Sequence, residues 1–226
     1  MRMKISRWLG REFVVLSCEG TASLTPTEEA REIFHRLDHE LKRWGLSLEE
    51  TVRTRLWARD RECRNVASEE RFKVLRGKAR SASSSYIAPG HFESDARIAV
   101  ELLAMRPARP GLEKLLKEYE PPIIPLRYLI YDSVVFLSGV TAVLPTLADQ
   151  VADILAHISG SLTDARSSWD KVVWVSFFLH RSQKLEALKE LFQKTVRAEA
   201  SRMEYAFVDG YSGEGKLIEI EVTATV

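Results

Sequence analysis

The residues able to do chemistry are scattered along this chain and fall into no single motif. Five histidines, His35, His39, His91, His157 and His180, show no HExxH pattern. His35 and His39 lie four apart on an expected helix, a spacing a metal can use. No third ligand accompanies them, so they read as a solvated helix face, and no metal is expected. Cys18 and Cys63 stand far apart without a CxxC, which points to buried free thiols and excludes a zinc site or disulfide framework. Ser81, Ser83, Ser84 and Ser85 crowd one segment but lack the GxSxG turn of a serine nucleophile, so a polar strand edge is expected. The closing run "GKLIEIEVTA" (215–224) offers more. Side chains alternate along a strand, so Glu219 and Glu221 share one face and Ile218 and Ile220 the other. That carboxylate face is either solvated surface or the wall of a pocket.

Composition narrows the classes. The chain has 226 residues, enough for one large domain or two of about 110. Its 33 basic and 32 acidic residues leave a net charge of +1, which gives no footprint for nucleic acid. No run of about 18 apolar residues is present to span a membrane, and the basic start "MRMKISRWLGREF" lacks the apolar core of a secretory signal. A cytoplasmic protein is expected.

The elements that must position these residues come in two sets. "FVVLSCEG" and "VFLSGVT" each run a short apolar strand into Leu-Ser, at Leu16-Ser17 and Leu137-Ser138, a shift of 121. The same shift lays "EEAREIFHRLDHEL" (28–41) on "DQVADILAHISGSL" (149–162), where Ile33, Phe34, Leu37 and Leu41 meet Ile154, Leu155, Ile158 and Leu162. That stepping by three and four is one face of an amphipathic helix. It also lays "LEETVRTRLWARD" (48–60) on "WDKVVWVSFFLHR" (169–181), both strand-like. Near the ends the shift becomes 120, and Gly90, Ile98, Val100, Glu101 and Ala104 meet Gly210, Ile218, Ile220, Glu221 and Ala224. The chain is two copies of one module. The seam is "MRPARPGLEKLLKEYEPPIIP" (105–125), with five prolines, a glycine and an expected short amphipathic helix. The modules are therefore placed at 1–119 and 120–226. Each is expected to hold a helix (26–44 or 146–163), a long strand (50–59 or 170–180), a second helix (66–77 or 182–198) and two closing strands (82–88 and 96–105, or 203–208 and 216–225). Thr25, Pro26, Glu28 and Glu29 make a helix start. The fold class is α+β, with two helices on one face of each mixed sheet.

At this point the chain resembles the Rid (YjgF-type) family, once labelled L-PSP endoribonucleases. Ser138-Gly139 is similar to the family's Ser-Gly strand end. "LADQVADILAHISGSL" resembles its first helix and "SWDKVVWVSFFLHR" its central strand. "GKLIEIEVTA" resembles its closing strand. The match covers most of 126–226 and, more weakly, 12–105, where "KARSASS" (78–84) resembles the segment carrying the family's arginine. The resemblance implies tandem chorismate-mutase-like modules and no cofactor. It also implies a ring of three modules with pockets at the interfaces, for which three fused pairs would form a homotrimer. It further implies hydrolysis of enamines or imines such as 2-aminoacrylate to a keto acid and ammonia. In that activity the arginine at Arg80 grips a carboxylate ligand and the glutamate at Glu219 orders water or shuttles protons. Both roles are physically sound: a guanidinium binds carboxylate through two nitrogens, and enclosure can lift a glutamate into the acid–base range.

The two modules do not carry equal equipment. Glu219 falls opposite Ala99 in the first module, and Arg80 falls opposite Ala200 or Ser201 in the second, with Arg202 close by. The Ser-Gly pair is Ser138-Gly139 in one half and Ser17-Cys18 in the other. Ser17, Ser138, Gly139 and Arg202 are the expected substrate-binding residues, and Glu219 and Arg80 the catalytic ones. Three outcomes remain open: a composite pocket joining Arg80 of one module to Glu219 of another, an altered substrate, or ligand binding without catalysis. A chorismatase-like hydrolase, also built from fused modules, is a further alternative and needs room for a cyclic dicarboxylate.

Overall fold

The computed structural model describes residues 1–197 and 200–226. The first module runs β1 (Arg2–Trp8), β2 (Arg11–Glu19), α1 (Pro26–Arg43), β3 (Thr51–Ala58), α2 (Arg61–Val74), β4 (Ala82–Ile87) and β5 (Ile98–Arg106). The seam contributes β6 (Leu115–Lys117), which lies before residue 120 but joins the sheet of the second module, and that module then runs β7 (Tyr128–Tyr131), β8 (Val134–Leu137), β9 (Val140–Thr141), α3 (Leu147–Asp164), β10 (Val172–His180), α4 (Leu185–Thr195), β11 (Arg202–Val208) and β12 (Ile218–Thr225). The sheets order as β1-β2-β5-β3-β4 and β11-β10-β12-β8-β7-β6, with β9 beside β12. Each is mixed: β3–β4 and β10–β11 are parallel, and the remaining pairs are antiparallel.

The repeat holds in detail. Thr25 caps α1 in a reciprocal box with Glu28, and Thr146 caps α3 by accepting from the Asp149 amide. Glu29 and Gln150 occupy the same place on α1 and α3, and both are fully buried. Glu29 accepts from the amides of Arg97 and Ile98, and Gln150 accepts from that of Leu217. Each thus ties its helix to the start of the closing strand, β5 or β12.

Alternation along the strands builds two layers. Ile218, Ile220, Val222 and Ala224 face α3 and α4 and form one core with Ile154, Ile158 and Phe192. Val100, Leu102, Leu56 and Ala58 form the matching core with Ile33, Phe34 and Leu37. The opposite faces of the sheets meet each other. Phe13, Leu103 and Met105 pack on Leu129, Val134 and Phe136, and Trp57 and Tyr86 pack on Phe178 and Tyr211. Trp8 and Trp174 meet edge-on across this join, 6.0 Å between centroids.

Three local expectations are corrected. The seam forms no helix: Leu115–Lys117 is a strand pairing with Tyr128–Ile130, because the prolines at 107, 110, 121 and 122 keep the segment extended. The second helix of the first module starts at Arg61, where Asp60 accepts from the Cys63 amide, and stops at Val74 before Gly77 at φ +57°. The matching helix in the second module ends at Thr195. Residue 198, the last expected in it, lies outside the described residues. Cys18 and Cys63 are free and buried, as expected.

Candidate active site between the modules

A buried polar array lies where the two sheets face each other. On β3, Arg53 and Arg55 point away from the helices, and both are almost fully buried. Arg55 donates to Glu221 from Nε (3.0 Å) and Nη2 (2.9 Å), to Ser176 Oγ (2.8 Å), and to Glu101 from Nη1 (3.1 Å). Ser176 is the residue that the repeat sets opposite Arg55, and Glu101 is the one set opposite Glu221, so equivalent positions converge here. Arg53 donates to Thr223 Oγ1 (2.9 Å) and to the Val222 carbonyl (2.9 Å). Burial alone would lift the pKa of Glu221, but Arg55 and Arg53 outweigh it and hold Glu221 below the usual carboxylate range.

Glu219, two residues away on the same face, has the opposite environment. It is 5% exposed and forms no ion pair among the described residues. Burial, then the charge on Glu221, pushes its pKa up to about 8, against the pull of Lys216 and Arg64. Tyr86 on β4 places its hydroxyl between the two carboxylates, 3.2 Å from Glu221 and 3.4 Å from Glu219. Ser84 donates to Glu221 as well. Near neutral pH the pair therefore holds one ionised and one protonated carboxyl, an arrangement that separates a stabiliser from an acid.

Glu219 lines a cavity of about 770 Å³ between the modules. Opposite it stand Arg64 and Arg71 of α2. Arg71 donates to the Ser84 carbonyl (2.6 Å) and to Ser68 Oγ (3.3 Å), and Arg64 donates to Ser85 Oγ from Nε (2.9 Å) and Nη2 (2.6 Å). Neither guanidinium has a carboxylate partner among the described residues. Burial lowers the pKa of both, that of Arg71 to about 10. A buried Arg71 beside a half-buried Arg64, neither with a counter-charge, is costly unless an anion joins them, which makes this wall a seat for one. Lys216, Arg127 and Tyr119 complete the lining that matters.

Gly139 closes the far side. A β-carbon there would overlap the Glu219 carboxyl, so only glycine leaves that group in place. Its amide donates to the Ser83 carbonyl (3.2 Å), while Ser138 Oγ accepts from the Ser83 amide (3.1 Å). The Ser-Gly pair thus stitches β8 to β4 across the module join. In the first module the residue at the same sequence shift is Cys18, which turns to the helix-facing core beside Val14, Leu16 and Val100, and Ala99 stands where Glu219 stands in the second.

The structure brings together some of the sequence-expected residues and separates others. Glu219 and Gly139 line the cavity, and Ser138 is buried behind it as a structural link. Arg80 is not in that lining. It is paired with Glu118, donates to the Ile124 carbonyl (2.9 Å), and lies in an adjoining crevice behind Arg71. Arg202 is on the exposed edge of β11, 4.1 Å from the Trp174 ring centre, because its strand position points across the join and not into the cavity. Ser17 lines a separate hollow of about 320 Å³ with Trp57 and His91. Arg53, Arg55, Arg64 and Arg71 were missed. Arg53 and Arg55 stand two residues apart on β3 and so share one face of the strand, but nothing in the strand itself says which partner that face meets. Among the described residues no group of three or more metal-ligating side chains occurs, and no helix is long and apolar enough to cross a membrane.

Known structures share this fold. A crystal structure of chorismatase superimposes with a TM-score of 0.67 at 14% identity, over 99% of this chain and 77% of that chain. Single-module structures align with half of it. A member of the YjgF/YER057c/UK114 family from Mycobacterium tuberculosis aligns at 19% identity, with a TM-score of 0.42, over 50% of this chain and 100% of its own. A putative translation initiation inhibitor from Salmonella typhimurium aligns at 20% identity, with a TM-score of 0.46, over 51% and 100%. No family model matches the sequence, and no curated protein is significantly similar to it.

Proposed function

We propose that this chain, an α+β protein with the tandem Rid-like fold that chorismatase also has, hydrolyses a small carboxylate-bearing enol ether or enamine. The observation that supports this is the meeting, in one cavity, of the buried Glu219 carboxyl, whose pKa is raised, with two arginines, Arg64 and Arg71, that have no carboxylate partner among the described residues. The two substrate classes need the same chemistry. In each, a carbon–carbon double bond carries a heteroatom and a carboxylate on one carbon. Glu219 donates its proton to the other carbon, which leaves an oxocarbenium or iminium centre. Water adds there, returning a proton to the Glu219 carboxylate. Collapse then expels the alcohol or ammonia and leaves a 2-oxo acid. The ionised Glu221, fixed by Arg55, keeps Glu219 protonated and lies near the developing positive charge.

Two guanidiniums and a cavity of about 770 Å³ favour a cyclic dicarboxylate over a three-carbon acid. The enol ether is therefore the first reading, with chorismate as its probe. The enamine deaminase is the second, favoured by the "IEIE" run and the Ser-Gly pair that place Glu219 beside Gly139. The deciding assay follows 2-oxo acid release from chorismate and ammonia release from freshly generated 2-aminoacrylate, with wild type and Glu219→Gln. Turnover of either substrate that is lost in the variant supports the reading. Rates at the spontaneous level for both substrates would remove it, and binding without turnover would make the chain a ligand-binding protein. A homotrimer of fused pairs belongs to the same proposal. It is supported by the open outer edge of β11, with Met203 and Phe207 exposed, and a monomer by light scattering rejects it.

A further inference from the structure

A second cavity, of about 840 Å³, lies under the seam segment and shares no lining residue with the first. Lys114 is in its wall. The Lys114 amine donates to two backbone carbonyls, of Thr51 and Arg80, each at 2.8 Å. Among the described residues no carboxylate pairs with it. Glu49 and Glu50 share the lining without reaching it, Lys78 is already paired with Glu113, and Arg106 with Glu12. Tyr131 is the other titratable group in the wall. A neutral amine has two hydrogens, one for each carbonyl, and this leaves its lone pair uncommitted. We propose that Lys114 is a covalent capture site for a small carbonyl compound, an aldehyde or a 2-oxo acid, which it takes as a Schiff base.

In the step, the nitrogen lone pair attacks the carbonyl carbon and the C=O electron pair moves to oxygen. The two amine hydrogens leave with that oxygen as water, and a carbon–nitrogen double bond remains. No oxidant or reductant is needed. Burial pushes the Lys114 pKa down to about 7, so about half of the amine is neutral at pH 7. That fraction is on the order of 10³ times that of an ordinary lysine. The imine nitrogen then takes one proton from solvent and keeps a single N–H, so capture frees either the Thr51 or the Arg80 carbonyl and loosens the seam at that anchor.

The test incubates the full-length protein at pH 7 with cyanoborohydride and either pyruvate or acetaldehyde, then maps reduced adducts by peptide mass spectrometry. The expected result is labelling of Lys114 at least tenfold faster than Lys78 or Lys117 with one or both probes. The two arms separate an acid site from an aldehyde site. Lys114→Arg keeps donors for both carbonyls, stays folded, and should abolish that adduct while the others persist. Equal labelling of all three lysines, or none at Lys114 with either probe, overturns the proposal.

Discussion

Arg55 of the first module holds Glu221 of the second through two nitrogens of one guanidinium, at 3.0 and 2.9 Å. This contact joins the modules and also sets the protonation of the site. It keeps Glu221 charged, and that charge, after burial, is the next cause of the raised pKa at Glu219. Replacing Arg55 with Met leaves Glu221 buried without its main counter-charge and should destabilise the fold by about 3–5 kcal/mol. Urea unfolding measures this. Adding Glu221→Gln to the same chain should recover part of the loss, because the stranded charge is then gone.

Glu219→Gln should lower turnover by about 10²–10⁴-fold, the usual contribution of a positioned acid, with the fold intact. It should also change the dependence of stability on pH. The folded-state pKa of Glu219 is raised from 4.5 to about 8, so its contribution is fully present below pH 4.5 and is lost as pH rises toward 8. The glutamine variant should lack that decline. A wild type whose stability is level from pH 4.5 to 8 relative to the variant would contradict the assignment.

Gly139→Ala should cut activity sharply at little cost in stability, because the new methyl displaces the Glu219 carboxyl. Cys18→Gly, in the helix-facing core of the first module, should instead lower the melting temperature and leave turnover by the folded protein unchanged, because Cys18 lines no part of the Glu219 cavity. Kinetics and melting temperatures of the two variants separate these effects.

Arg64→Met should raise KM at least tenfold, because it removes a charged hydrogen-bond donor from the anion seat, a loss of roughly 1.5–3 kcal/mol. Arg80→Met should change KM by less than threefold, since its guanidinium is occupied by Glu118 and the Ile124 carbonyl. Comparable KM effects from both would mean that Arg80 turns into the cavity on binding.

The sequence made the repeat, the fold class and the alternation of β12 readable, because each depends on spacing alone. Glu219 was legible for the same reason, once its strand was recognised. The arginine wall was not. Arg71 opens the run "RFKVLRGKAR", and such runs are ordinarily solvated. Here Lys73, Arg76 and Lys78 are exposed, while Arg71 is buried, because the helix turns that one position toward β4. Arg53 and Arg55 were hidden by a related effect: a strand whose every residue is buried shows no polar face, and which charges it encloses depends on the partner sheet. Arg80 was misplaced because a motif fixes a residue's strand position, while the neighbouring carboxylate at Glu118 decides where its side chain points.

The candidate site takes Arg64, Arg71 and the serines of β4 from one module and Glu219 and Gly139 from the other, within a single polypeptide. Its two halves are thus synthesised together, in equal number, and never need to find each other by diffusion. Tethering makes their encounter unimolecular, so specific activity should hold constant as the protein is diluted, even to concentrations at which separate subunits would part.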